Sequence, residues 1–304
     1  MKIRRILYPT DFSPCADTAL SHALFHAEVD EAELHIIHGV INLTGETPFY
    51  NVEPEVIEAK MEEVAKTQLA EQLEPHRERP IQIREGNIRG RSAANVILEY
   101  AVDHDCDLIV MGTHGRRMFE HFLLGSVAES VLRLAPCPVI TVRADEHDQQ
   151  RLQPIRHLLA PLDFSTASEK SLEMGVDMAR LHGSEKLTLL HVMEDYFYPG
   201  GIDPGVSAIA ELTPKLLRER ENRLTKIAEE IDLDPSRIHV EVRMGRPAHT
   251  IVKFAEENDV NMIVTGSGGA GGLGRLLLGS TAERVLRLAP CPVLTTRDQE
   301  SPLQ

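Results

Sequence analysis

Gly112-Thr113-His114-Gly115, nine residues from Arg116 to Leu124, and then Gly125-Ser126 form the stretch on which the reading of this chain turns. The same spacing recurs as Gly266-Ser267-Gly268-Gly269, nine residues from Ala270 to Leu278, and Gly279-Ser280. Each copy follows an apolar run, Leu108-Ile109-Val110-Met111 in the first case, and leads into a helix-like segment. Gly112 and Gly115 are expected to let the backbone turn sharply, with no Cβ to obstruct a phosphate. The helix starting at Gly125-Ser126 adds unpaired N–H groups and the positive end of its dipole. An ordinary glycine turn with Ser126 as the helix cap is the alternative. A single glycine motif is weak evidence. Two copies with identical spacing favour phosphate.

Working outward, the repetition extends to the whole chain. Ile6-Leu7-Tyr8-Pro9-Thr10-Asp11-Phe12-Ser13 matches Leu158-Leu159-Ala160-Pro161-Leu162-Asp163-Phe164-Ser165 at an offset of 152. Leu34–His38 matches Leu187–His191 at 153, and Ala135-Pro136-Cys137-Pro138-Val139 matches Ala289-Pro290-Cys291-Pro292-Val293 at 154. A period near 150 residues is a duplicated domain, because solenoid units repeat every 20–50 residues. The expected organisation is domain one at 1–143, a polar linker at 144–153, domain two at 154–298 and a tail at 299–304.

Each half reads as five strands alternating with four helices. In the first, the strands are expected at Arg5–Tyr8, Leu34–Val40, Ile81–Glu85, Leu108–Met111 and Val139–Arg143. The helices are expected at Pro14–Ala27, Glu55–Leu73, Ser92–Asp103 and Ser126–Leu134, from the spacing of Ala, Leu, Val and Ile. This alternation predicts a parallel sheet covered on both faces. Polar loops follow strand two in each half, Asn42–Pro54 and Glu194–Gly205, the latter holding the aromatic run Tyr196-Phe197-Tyr198.

Composition excludes several classes. A net charge of −15 argues against unspecific nucleic-acid or anionic-membrane partners. With 42% hydrophobic residues, 4% aromatic and no Trp, both cores must be filled by aliphatic side chains. Four cysteines without C-x-x-C spacing fit a reducing compartment. No signal peptide is expected, and no apolar run reaches the ~18 residues of a membrane span.

Asp11 and Asp163 each sit just past strand one in Pro-x-Asp-Phe-Ser, at the sheet edge that carries the glycine loop. A carboxylate there can accept from a ribose or base or meet a metal; the alternative is a helix cap by Asp11 or Ser13. Arg116 and Arg117 can neutralise phosphate charge, or be solvated surface. The second loop has Ala270 and Gly271 there and Gly268 in place of His114, with Arg275 nearby. His38 and His191 end strand two and read as packed residues, not ligands. No histidine cluster has zinc spacing, and neither Gly-x-x-x-x-Gly-Lys-Ser/Thr nor Gly-x-Ser-x-Gly occurs. Cys137 and Cys291, between prolines, read as small buried hydrophobes, with reactive-thiol chemistry the lesser alternative. No general base recurs beside the loops, so no catalytic residue is assigned.

These residues resemble the universal stress protein family in its tandem form, almost end to end. The motifs are Tyr8-Pro9-Thr10-Asp11-Phe12-Ser13, the long glycine pattern in both halves, Leu276-Leu277-Leu278-Gly279-Ser280, and Ala-Pro-Cys-Pro-Val twice. The glycine pattern resembles the ATP-binding branch. The resemblance implies two Rossmann-like domains of the adenine nucleotide alpha hydrolase type. It also implies ATP, with or without Mg²⁺, and no assigned metal ligand. It places Asp11 and Gly39 about the adenosine in the first half and Gly112, Gly115, Gly125, Ser126 and Val127 about the phosphates, with Pro9, His114 and Arg116 also in the ATP-binding set. In the second half the corresponding residues are Asp163 and Val192, then Gly266, Gly269, Gly279, Ser280 and Thr281, with Pro161 also in the set. Gly268 departs from the His or Arg usual in the loop, and Gly39 from the usual Val. Two sites of unequal strength are therefore expected.

The resemblance further implies a cytoplasmic stress-response protein, pairing of the halves through their last strands and a homodimer. Three functions compete: a nucleotide-binding regulator, a slow ATP-hydrolysing or nucleotidyl-transferring enzyme, and a scaffold without nucleotide. The doubled motif argues against the scaffold, and the missing base against the enzyme.

Overall fold

The first strand, β1 (Arg5–Thr10), is apolar enough to be buried on both faces: Ile6, Leu7 and Tyr8 are fully enclosed. In the computed structural model, which describes residues 2–41, 54–115, 124–143, 154–194, 204–268 and 278–297, it is the central strand of the first half. Then come α1 (Pro14–Asp30), β2 (Glu33–Ile41), α2 (Pro54–Leu73), β3 (Ile83–Gly90), α3 (Ala93–Asp103), β4 (Leu108–Gly112), α4 (Ser126–Leu134) and β5 (Val139–Val142). The second half repeats the order as β6 (His157–Pro161), α5 (Thr166–Leu181), β7 (Lys186–Met193), α6 (Pro204–Glu229), β8 (Ile238–Met244), α7 (Pro247–Glu257), β9 (Met262–Gly266), α8 (Ser280–Leu288) and β10 (Val293–Thr296). The chain divides into two units, 1–152 with 299–304, and 153–298.

Within each unit the strands are parallel, in the order β3-β2-β1-β4-β5 and β8-β7-β6-β9-β10. This is the Rossmann-like α/β architecture. The chain steps outward from β1 to β3, then returns to β4 on the other side. Right-handed crossovers therefore set α1 and α2 on one face and α3 and α4 on the other. Accordingly α1 packs on β1, β4 and β5, and α3 packs on α4. The reversal lies between β1 and β4, and in the second half between β6 and β9. In open parallel sheets that is where a crevice opens beyond the carboxyl ends of the strands.

Proline sharpens the reversal. β1 pairs with β2 from Arg5 to Thr10 but with β4 only at Ile6↔Leu108 and Leu7↔Ile109. The second half does the same, with β6–β9 pairing confined to Leu158↔Met262 and Leu159↔Ile263. Pro9 and Pro161 have no N–H for a ladder, and pairing across the reversal ends two residues before each.

Three sequence expectations need correction. Strand three lies at Ile83–Gly90, not Ile81–Glu85, because it continues in register with β2 to Gly90↔Ile41. Its Arg, Glu and Asn residues belong to an edge strand, so the apolar alternation is thin. Helix α1 runs three residues past Ala27 and stops at Glu31, which adopts a left-handed φ of 52°. Helix α6 begins at Pro204, inside the segment expected as loop, and accommodates Pro214. Of the expected Asn42–Pro54 loop, Pro54 is the first residue of α2; residues 42–53, the linker, the tail and Tyr196–Tyr198 lie outside the described residues.

Asp30 ends α1 with its Oδ2 buried and lacking a hydrogen-bond partner among the described residues. Burial pushes its carboxyl up to about 7. An unfolded Asp titrates near ~3.9, so the fold favours the protonated form. That contribution is complete below pH ~4 and is lost as pH rises through about 7. Asp30→Asn should therefore raise the melting temperature at pH 8 and change it little at pH 4. Equal shifts at both pH values would remove the carboxyl as the cause.

Candidate nucleotide site

The turn after β1 is built from its own short side chains. Ser13 caps α1, its Oγ accepting from the Ala16 N–H at 3.2 Å. Asp11 is not the cap; its Oδ1 accepts the Ser13 N–H at 3.1 Å. Ser165 caps α5 likewise, and Asp163 Oδ1 accepts the Ser165 N–H at 3.0 Å. Between Asp and Ser stands a phenylalanine in left-handed conformation, Phe12 at φ 60° and Phe164 at 62°. For a bulky residue that conformation is strained and must be held by its surroundings.

The strand-two histidines supply the hold. His38 Nδ1 donates to the Thr10 carbonyl at 2.8 Å, and His191 Nδ1 to the Leu162 carbonyl at 2.6 Å. The same rings pack on the phenylalanines, at 4.6 Å for His38–Phe12 and 4.4 Å for His191–Phe164. Both histidines are thus positioning residues for the Asp-Phe-Ser turn. Burial lowers the His191 pKa; the Leu162 hydrogen bond opposes that, and Arg220 and Arg223 add to it.

Across the reversal, Gly112 ends β4 and does not turn. It is glycine because a Cβ there would lie 2.8 Å from Cys15 Sγ and 3.1 Å from the Cys15 carbonyl. Gly266 is tighter, with the Ala167 carbonyl oxygen 2.8 Å and carbon 2.9 Å from a Cβ. The first turn of α1 or α5 thus lies directly on the end of the glycine-loop strand. The loop is then closed by two backbone bonds. Thr113 N–H donates to the Val142 carbonyl at 2.9 Å, and Gly125 N–H to the Thr113 carbonyl at 2.8 Å. Ser267 and Gly279 repeat both, to Thr296 and to Ser267, at 2.8 Å each.

Gly115 brings the loop to the Asp turn: a Cβ there would sit 2.5 Å from Asp11 Oδ2. The N-cap of α4 is Gly125, and that of α8 is Gly279; neither helix has a side-chain cap. Ser126 and Ser280 are the first helical residues, so the alternative of a serine cap at Ser126 does not hold. Val127 and Thr281 follow in the same turn. The first-turn N–H groups of these two helices are left to another acceptor.

In the first half His114 Nδ1 shares a hydrogen with Thr113 Oγ1 at 2.9 Å, while its buried Nε2 has no hydrogen-bond partner among the described residues. Burial, and then Arg143, hold its pKa below the usual histidine value. Gly268 replaces it in the second half, and a Cβ there would meet nothing within 4 Å. Gly39 lies on β2 against α3, where a Cβ would make ordinary contacts at 3.7 Å with Ile41 and Val96. The backbone therefore does not require glycine, and Val192 stands at the equivalent place. Arg116, Arg117, Gly269, Ala270, Gly271 and Arg275 lie outside the described residues.

These features suit a phosphate: glycine where the loop meets the Asp turn, an uncapped helix start, and an orphaned His114 nitrogen. Among the described residues no group of three or more His, Cys, Asp or Glu is placed to hold a metal. Cys137 is buried, and burial drives its thiol pKa upward. Its packing role stands over a reactive one. Sequence reading does not single out Arg143 or the pair Arg220 and Arg223. Recurrence of Arg143 as Arg297, at the loop offset of 154, was the available signal for the first.

A doubled, parallel α/β fold with a strand reversal at the centre of each half defines a tandem protein of the Rossmann-like class. The profile of the universal stress protein family matches residues 2–143 and 154–297, and the chain belongs to that family. A universal stress protein of Mycolicibacterium smegmatis is 27% identical over 298 residues, covering 96% of each chain. One from Methanocaldococcus jannaschii is 33% identical over 142 residues, 47% of this chain and 82% of that protein. The crystal structure of a universal stress protein from Archaeoglobus fulgidus superposes with a TM-score of 0.69 at 26% identity, over 98% of this chain and all of that one (100%).

Proposed function

We propose that this tandem universal stress protein binds ATP at one site in each half and acts as a regulator, not as a rapid enzyme. The observation that carries the reading is the duplicated loop closure, Gly125 to Thr113 and Gly279 to Ser267, both at 2.8 Å, each leading into a helix with no side-chain cap. A helix start of this kind favours an anion. Asp11 and Asp163 stand on the opposite lip, where a carboxylate can accept from a ribose hydroxyl. Nucleotide occupancy would fix the loop against the Asp turn and so change a surface that a partner reads. Among the described residues no helix is long and apolar enough to cross a membrane. The proposal extends to a cytoplasmic homodimer, checked by the solution mass of the purified chain.

Mass spectrometry of ligand released from protein purified without added nucleotide tests the reading. Bound ATP is the expected result, and titration with and without EDTA reports any dependence on Mg²⁺. Copurified ADP with a steady turnover abolished by Asp11→Ala would favour the slow enzyme. No ligand, and no thermal shift on adding ATP and Mg²⁺, would favour the scaffold.

A further inference from the structure

The two halves differ in charge at the Asp-Phe-Ser turn. In the second half α6 lays two arginines over it: the Arg223 guanidinium carbon is 4.0 Å from the Phe164 ring centroid, and that of Arg220 is 5.8 Å away. The Phe164 ring also packs on His191, and both arginines, with Asp163, act on the His191 charge. One cluster thus joins Arg220, Arg223, Phe164, His191 and Asp163. Neither arginine has an ion-pair partner among the described residues. A guanidinium stacked on a ring keeps its in-plane N–H groups free, and that planar fork matches a phosphate.

The first half has no such pair. The register partners Leu34↔Ile83 and Leu187↔Ile238 put β3 and β8 at an offset of 155, and the buried Leu69 of α2 and Leu224 of α6 share it. By that offset Arg220 corresponds to Ala65 and Arg223 to Gln68, both uncharged. The second half therefore lacks a histidine at position 268 of its loop but carries two cations on its other lip.

We infer that Arg220 and Arg223 are charge-recognising residues of the second site, binding the phosphates of a nucleotide and making that site select strongly by ligand charge. This rests on the nucleotide reading above. The full-length Gly115→Val chain, with its first site disabled, is titrated calorimetrically with ATP and with adenosine, alone and with Arg220→Ala and Arg223→Gln added. The added pair installs the residues of the first half. ATP should weaken by about tenfold or more, as loss of one charged hydrogen bond implies, while adenosine stays within about twofold. Arg223→Lys, which keeps charge without the planar fork, should fall between.

Unchanged ATP affinity in the double variant would overturn the inference. Equal weakening of ATP and adenosine would do so too, because it marks the arginines as supports of the Phe164 turn. If neither ligand binds the Gly115→Val chain at all, the nucleotide reading of the second half has failed and the inference falls with it, a result distinct from persisting but unaltered ATP binding.

Discussion

A Gly115→Val chain is expected to retain its fold and lose nucleotide from the first half alone, with affinity there falling roughly 100-fold, about 2.7 kcal/mol. The first added carbon would lie 2.5 Å from Asp11 Oδ2. The carboxylate is the end of a side chain, so it can swing away at modest cost in stability. In doing so it gives up the Ser13 N–H, and the branched side chain fills the space between loop and Asp turn. Both lips of the site are damaged by one substitution. Equilibrium titration of the variant should show one site fewer and a melting temperature within a few degrees of wild type. An unchanged number of sites would mean that the first-half loop does not hold the ligand.

Gly266→Val should behave in the opposite way, with stability as the main casualty. Here the Cβ meets backbone, the Ala167 carbonyl oxygen at 2.8 Å and carbon at 2.9 Å, and backbone cannot swing aside. Either β9 or the first turn of α5 must move, in a region packed with Leu158, Leu159, Ile263 and Val264, all fully buried. Overpacking of this kind costs about 3 kcal/mol. For a unit of this size that lowers the melting temperature by roughly 6–12 °C. Gly268→Ala is the matched control: a Cβ there meets nothing within 4 Å, so its melting temperature should stay close to wild type. Equal losses in the two variants would show that Gly266 is not constrained by α5.

The contrast explains what was legible in the sequence. The alternation of strands and helices was, because parallel strands buried on both faces, such as Leu108–Met111, must be continuously apolar. So was the place of the loops, because their spacing recurs. What each glycine is for was not. Gly112 looks like a turn residue, yet it ends a straight strand pressed against Cys15, a contact with a residue nearly a hundred positions earlier. Ser126 looks like a cap, yet Gly125 takes that position and the hydroxyl lies one residue inside. Asp11 and Ser13 are equally good caps on paper; only the fold assigns the cap to Ser13 and leaves Asp11 facing the loop.

Strand three was misplaced because an edge strand needs few apolar residues. Arg220 and Arg223 were invisible as site residues, since they sit in a helix dense with charge and reach Phe164 only through packing. The strain at Phe12 and Phe164 was equally hidden. It is held by a hydrogen bond and a ring contact from His38 and His191, which the sequence presents merely as strand ends.

The most direct measurement is the number of nucleotides bound per chain. Full-length protein stripped of ligand should be titrated with ATP and weighed by native mass spectrometry. Two ATP per chain, bound with different affinities and falling to one in Gly115→Val, is the predicted result. A single ATP that survives Gly115→Val, or none at any concentration, would contradict the account.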